Sequence, residues 1–148
     1  MAENLYRAEL RYGGDEFFIG TTPSGNSITI DVKGDRKSAP SPLELLLVSV
    51  ASCTAADVQS IMEKKRQDVR EYKIVIDGTR VEDHPRKFVK FHIHHIVHGR
   101  SVSEKALADA IDLSESKYCS VAATVRPTAE ITTSYEIVEV VPPAEARS

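Results

Sequence analysis

The chain has 148 residues, 41% of them hydrophobic, with 19 basic and 22 acidic side chains and a formal net charge of -3. A chain of this size buries roughly two thirds of its unfolded surface, which fits a single domain over 1–148 and excludes a second independent one. The charges are scattered, so no basic stripe follows a phosphate backbone and nucleic-acid binding is not expected. No apolar run approaches the roughly 20 residues of a bilayer span, and the start MAENLYRAEL lacks the charged-then-apolar pattern of a signal peptide. We therefore expect a cytoplasmic chain with no membrane partner. In such a reducing compartment its two cysteines, Cys53 and Cys119, read as free thiols rather than a structural bridge.

The N-terminal third alternates like strands. Ala8, Leu10 and Tyr12 share one face, and Ile28, Ile30 and Val32 share another further on. The strands E16-F-F-I-G-T and S27-I-T-I-D-V are separated by the turn cluster P23-S-G-N, which suggests a meander. The stretch G34-D-R-K-S-A-P-S is an exposed connection. A helix starts after it: Ser41 caps, Pro42 suits the first helical position, and Glu44 completes a capping box. The helix is expected to run to about Arg66. Its first half, Leu43 to Ala56, is apolar or small on nearly every face and calls for burial all round, whereas E63-K-K-R-Q-D is charged.

Two strands follow, Y72-K-I-V-I-D and F88-V-K-F-H-I-H-H-I-V-H, paired as a hairpin. In the second, Val89, Phe91, Ile93, His95 and Val97 form the apolar face, with Phe88, Lys90, His92, His94 and His98 opposite. A second helix begins near the cap Ser103, with Ala106, Leu107, Ala110, Ile111 and Leu113 as its buried stripe. The pattern loosens near Ser116, and K117-Y-C-S-V-A-A-T-V reads as a further helical turn before R126-P-T breaks it. A last strand spans A129 to V141, and the tail 142–148 is expected to fray. The order βββ-α-ββ-α-β gives an α+β, two-layer architecture of two helices against antiparallel sheet. A helix apolar all round needs more cover than so few strands supply, which points to a dimer.

Cys53 lies about two and a half turns into the first helix, with Ser49 and Asp57 one turn to either side on its face. A small buried hydrophobe is the plain reading of such a cysteine. A reactive reading requires a thiolate, hence a nearby cation, because the helix dipole offers little at mid-helix. Arg36, just before the helix, is the nearest candidate along the chain; Arg7, Arg11 and Arg126 remain open. Glu44 could position an arginine, but it stands about 13 Å along the helix axis from Cys53 on the opposite face, and its capping role accounts for it without chemistry. Cys119, at the helix break, suits a mobile thiol able to capture a sulfenic acid on Cys53 if the fold brings them together. His92, His94, His95 and His98 lack companion ligands at metal spacing and read as a solvated strand face, with His95 a hydrogen-bonded core histidine. No P-loop, G-x-G-x-x-G, G-x-S-x-G or H-E-x-x-H motif is present.

Taken together, S41-P-L-E-L-L-L with Cys53-Thr54 and Asp57-Val58, H84-P, and S114-E-S-K-Y-C-S-V followed by T128-A-E-I-T resemble the OsmC/Ohr family, most nearly its YhfA-type branch. The resemblance covers about residues 30 to 139. It implies an OsmC-like fold in an intertwined homodimer, with the central helices buried between sheets and two active sites at the interface. It also implies a cysteine-based, peroxiredoxin-like peroxidase acting on organic hydroperoxides in oxidative stress defence. Cys53 would attack the peroxide, Cys119 would close a disulfide, and an external dithiol such as a lipoyl protein would reduce it. No metal or organic cofactor is implied. Two positions depart from the family pattern: Asp15 stands where the peroxidases carry an arginine, and Leu43 where they carry a glutamate, with Glu44 one place later. The alternative is a dimer of this fold that binds a small apolar ligand or senses redox state without turnover.

Overall fold

The computed structural model describes residues 3–141; the tail 142–148, expected to fray, lies outside the described residues. The chain divides into two compact units, residues 1–46 and 47–148.

The first unit is an antiparallel meander of β1 (Glu9–Gly14), β2 (Phe17–Thr21) and β3 (Ser27–Asp31), in the order β1-β2-β3. The β1–β2 connection is so tight that Gly14, Asp15 and Glu16 all take positive φ, and the register shifts between Tyr12 and Gly14. The expected turn at P23-S-G-N closes through Thr22, whose carbonyl accepts from the Gly25 N–H at 2.9 Å and whose hydroxyl accepts from the Asn26 N–H at 3.1 Å. Leu10 pairs with Gly20, and Gly20 with Ile28, so the missing side chain at Gly20 leaves a shallow hollow lined by Ala8, Leu10, Ile28 and Ile30. Across residues 3–46 only Asp31 is buried. A sheet with an apolar face and no covered core is not stable by itself in water.

The long helix α1 (Pro42–Lys64) begins with the expected capping box: the Ser41 N–H donates to Glu44 Oε1 at 2.9 Å, and the Glu44 N–H donates to Ser41 Oγ at 3.2 Å. Its buried residues are Val50, Thr54, Val58 and Met62, a single i, i+4 stripe. The expected all-round burial is not reached within one chain, because Val48, Ser49, Ser52 and Ala56 on the other faces stay exposed. By length and composition α1 could also cross a membrane. This corrects the expectation that no such run exists: Leu, Val and Ala outweigh the Ser and Thr that interrupt them. Val58 and Met62 pack in a protein core with Val97 and with Leu107, Ala110 and Ile111, as the core helix of a globular fold does.

The second unit holds a sheet in the order β4 (Asp68–Arg80), β5 (Phe88–Arg100), β6 (Glu130–Glu139). The β4–β5 hairpin is antiparallel as expected, but β6 runs parallel to β5. The intervening helices carry the chain back along the sheet before β6 begins, as a parallel crossover requires. Phe88, expected on the wet face, is buried against Phe91 with ring centroids 4.9 Å apart. A register shift between Thr79 and Arg80, where Arg80 pairs with Phe88, turns it inward. Helix α2 (Glu104–Leu113) is capped by Ser103, whose hydroxyl accepts from the Ala106 N–H at 3.1 Å. Leu113, expected in its buried stripe, is 38% exposed because α2 passes there into a π-helical turn, Ser114–Tyr118, before the short helix α3 (Ser120–Val125).

A candidate dithiol site on helix α1 and the π-turn

Cys53 is half-buried on α1, and Cys119 is 4% exposed at the junction between the π-turn and α3. Two features place Cys119. Its N–H donates to the Ser114 carbonyl at 2.8 Å, closing the wide turn, and its extended backbone makes it the N-cap of α3, with Sγ accepting from the Ala122 N–H at 3.3 Å. The sulfurs of Cys53 and Cys119 and a carboxylate oxygen of Asp57 all lie within 4.8 Å of one another. The two thiols that stand 66 positions apart in sequence thus meet in one cluster.

The same π-turn swings Ser114 onto α1. Ser114 Oγ donates to Asp57 Oδ2 at 2.8 Å and stands 3.0 Å from Thr54 Oγ1. A hydroxyl has one proton and a carboxylate only accepts, so Thr54 donates to Ser114 and Ser114 to Asp57. Thr54 and Ser114 are both fully buried, and the chain fixes the carboxylate one turn beyond Cys53. Burial pushes the Cys119 thiol well above an ordinary cysteine; the Ala122 N–H opposes this, while Cys53 and Glu115 add to it. Glu115, beside Ser114, is likewise raised by burial, against the pull of Arg126, whose Nη2 donates to its Oε2 at 3.0 Å. Glu115 Oε1 is buried without a partner. A cleft of about 260 Å³ lined by Asp57, Ser60, Ile61, Lys64, Leu113 and Tyr118 opens at the Asp57 side.

The other anticipated groups have partners of their own. Arg36 and Glu44 belong to the first unit, and the cysteines to the second. The Arg36 guanidinium donates from Nε and Nη2 to the buried Asp31 carboxylate at 2.8 and 2.9 Å, donates to Asp15 Oδ2 and to the Asp15 carbonyl, both at 2.7 Å, and stacks 3.7 Å over Phe17. The Arg36 guanidinium holds the Asp31 carboxyl far below the usual carboxylate range. Glu44 serves the capping box, and the Ser41 N–H keeps its carboxyl low. Of the histidines, His92 meets Thr132 at 2.7 Å and Ser134 at 2.8 Å, and His94 meets Ser134 at 2.7 Å, on the face expected to be wet. His95 is a core histidine as expected, with Nδ1 2.7 Å from the Tyr72 hydroxyl, and burial lowers it to about 4. None of them joins the Cys53–Asp57–Cys119 cluster. Ser114, Glu115 and Thr54 were not singled out as site residues; their sequence signal was their place within the Cys53-Thr54 and S114-E-S-K-Y-C-S-V motifs.

A meander, a long apolar helix carrying one thiol and a mixed sheet whose crossover carries the second define a small α+β dithiol protein. Residues 33–134 match the family model described as OsmC-like protein, and the chain belongs to that family. It is 43% identical over 121 residues to Protein YhfA of Escherichia coli (strain K12), covering 82% of this chain and 90% of that one. A crystal structure of a hypothetical protein from Aquifex aeolicus VF5 is 36% identical, with a TM-score of 0.83 over 94% of this chain and all of the other. An organic hydroperoxide resistance protein from Elizabethkingia anophelis shares the fold, with a TM-score of 0.67 at 11% identity over 92% of this chain and 98% of that one.

Proposed function

We propose that this protein reduces organic hydroperoxides through Cys53 and Cys119, as a cytoplasmic homodimer. The observation that carries the reading is the approach of the two sulfurs to within 4.8 Å beside the cleft at Asp57. The half-buried Cys53 is the thiol a peroxide reaches first, whereas Cys119 is buried, which leaves it the second step. The Cys53 thiolate attacks the distal peroxide oxygen, the O–O bond breaks, and the alkoxide takes a proton to leave as alcohol. Cys119 sulfur then displaces hydroxide from the sulfenic acid, releasing water and closing a disulfide. An external dithiol, such as a lipoyl protein, returns both thiols.

The apolar walls of the cleft, Ile61, Leu113 and Tyr118, favour an organic peroxide over H₂O₂. Among the arginines open as activators, Arg126 pairs with Glu115, the neighbour of Ser114. The homodimer reading rests on the uncovered faces of α1 and of the β1-β2-β3 sheet, where Leu10 is 60% and Val48 62% exposed. Stopped-flow oxidation of the reduced protein should be faster with cumene hydroperoxide than with H₂O₂, and Cys53→Ser should abolish turnover. Reaction no faster than that of a free thiol removes the proposal. Mass mapping after one equivalent of hydroperoxide should find Cys53 linked to Cys119. The engagement of Arg36 with Asp31 and Asp15 favours a second reading, a redox-sensing dimer that oxidises once without turnover; a single slow oxidation event with no steady state distinguishes it.

A further inference from the structure

The Cys53–Asp57–Cys119 cluster is also a set of soft and hard metal ligands, and we infer that the reduced protein binds a thiophilic divalent cation, such as Zn²⁺, at these three side chains. Zinc takes Cys sulfur at about 2.3 Å and carboxylate oxygen at about 2.0–2.2 Å, so tetrahedral ligands stand about 3.5–3.8 Å apart. The three atoms here lie within 4.8 Å of one another, so side-chain rotation of about an ångström closes them on an ion. Their supports are those of a built site. Ser114 holds one Asp57 oxygen at 2.8 Å and is itself fixed by Thr54, both fully buried, which leaves the second oxygen for the cation. The Ala122 N–H donates to Cys119 Sγ at 3.3 Å and orients the sulfur. The cleft at Asp57 supplies an entry path and room for a fourth ligand, a water or an incoming thiol.

Three protein ligands with one open position make an exchangeable site rather than a closed structural one. Binding releases a proton from each thiol and ties up both sulfurs, so the ion and the Cys53–Cys119 disulfide exclude each other. The inference does not rest on peroxide reduction, and its test contains no peroxide. Anaerobic titration of the fully reduced protein with Co²⁺ should give a thiolate-to-cobalt charge-transfer band that saturates at one equivalent per chain and is bleached by Zn²⁺. Cys53→Ser and Cys119→Ser should each remove at least half of the band. Ser114→Ala should weaken cobalt binding about 10–100-fold, as loss of a group that orients a ligand does. Cobalt bound at the histidine strand instead would give no thiolate band. Should the variants not fold, Zn²⁺ must still slow iodoacetamide labelling of both cysteines in the unaltered protein. A missing charge-transfer band, a band unchanged by Cys119→Ser, or labelling unaffected by zinc overturns the inference.

Discussion

Ser114→Ala tests the account of how the thiol cluster is held. Ser114 is fully buried and makes two hydrogen bonds at once, accepting from Thr54 at 3.0 Å and donating to the Asp57 carboxylate at 2.8 Å. A neutral buried hydrogen bond contributes about 0.5–1.5 kcal/mol and one to a charged group about 1.5–3, so the substitution should cost about 2–4 kcal/mol. With a urea slope of about 2 kcal/mol/M, the unfolding midpoint should fall by about 1–2 M, read at fixed protein concentration. A double-mutant cycle with Thr54→Val isolates the hydroxyl pair. Thr54 then no longer leaves an orphaned donor, and the two losses should combine to less than their sum by about 0.5–1.5 kcal/mol. A loss below about 0.5 kcal/mol for Ser114→Ala, or strictly additive effects in the cycle, would refute the relay from Thr54 through Ser114 to Asp57.

His95 predicts an acid response. Burial lowers it to about 4 from an ordinary 6.5, so the unfolded chain binds its proton first as pH falls, and stability present above 6.5 is lost on the way to 4. Unfolding free energy should drop by about 2–3 kcal/mol between pH 7 and 4.5, and His95→Phe should flatten that slope; an unchanged slope counts against it. Gly99→Ala should destabilise by about 1–3 kcal/mol or more in the same urea assay, because an added Cβ would stand 2.2 Å from the Asp68 carbonyl oxygen, a backbone atom that cannot yield locally. Met62→Ala, which empties a fully buried position under α1, should cost about 2–5 kcal/mol. Arg36→Met should lower stability through Asp31, and any fall in peroxide turnover beyond that loss would mark Arg36 as an activator.

Much of the fold was legible because it is written in local patterns. The capping box at Ser41 and Glu44, the cap at Ser103, the turn at P23-S-G-N and the two-residue alternation of β5 each depend on neighbours within a few positions, and each stands as expected. The errors fell where a single inserted residue or a distant partner decides. Phe88 faces inward because of one register shift in the hairpin, and Leu113 faces outward because α2 widens into a π-turn. No periodicity announces either event.

The site divides in the same way. Sequence alone supplied the two thiols and the family motifs around them, since residue identity and order are all those need. Which groups surround the sulfurs was decided by tertiary structure. The wide turn after α2 sets Ser114 against Thr54 and Asp57, 60 and 57 positions away, and brings Cys119 beside Cys53. Such long-range pairings are selected by the packing of α1 and the crossover helices on one sheet, where buried hydroxyls and carboxylates must find partners or be left unsatisfied.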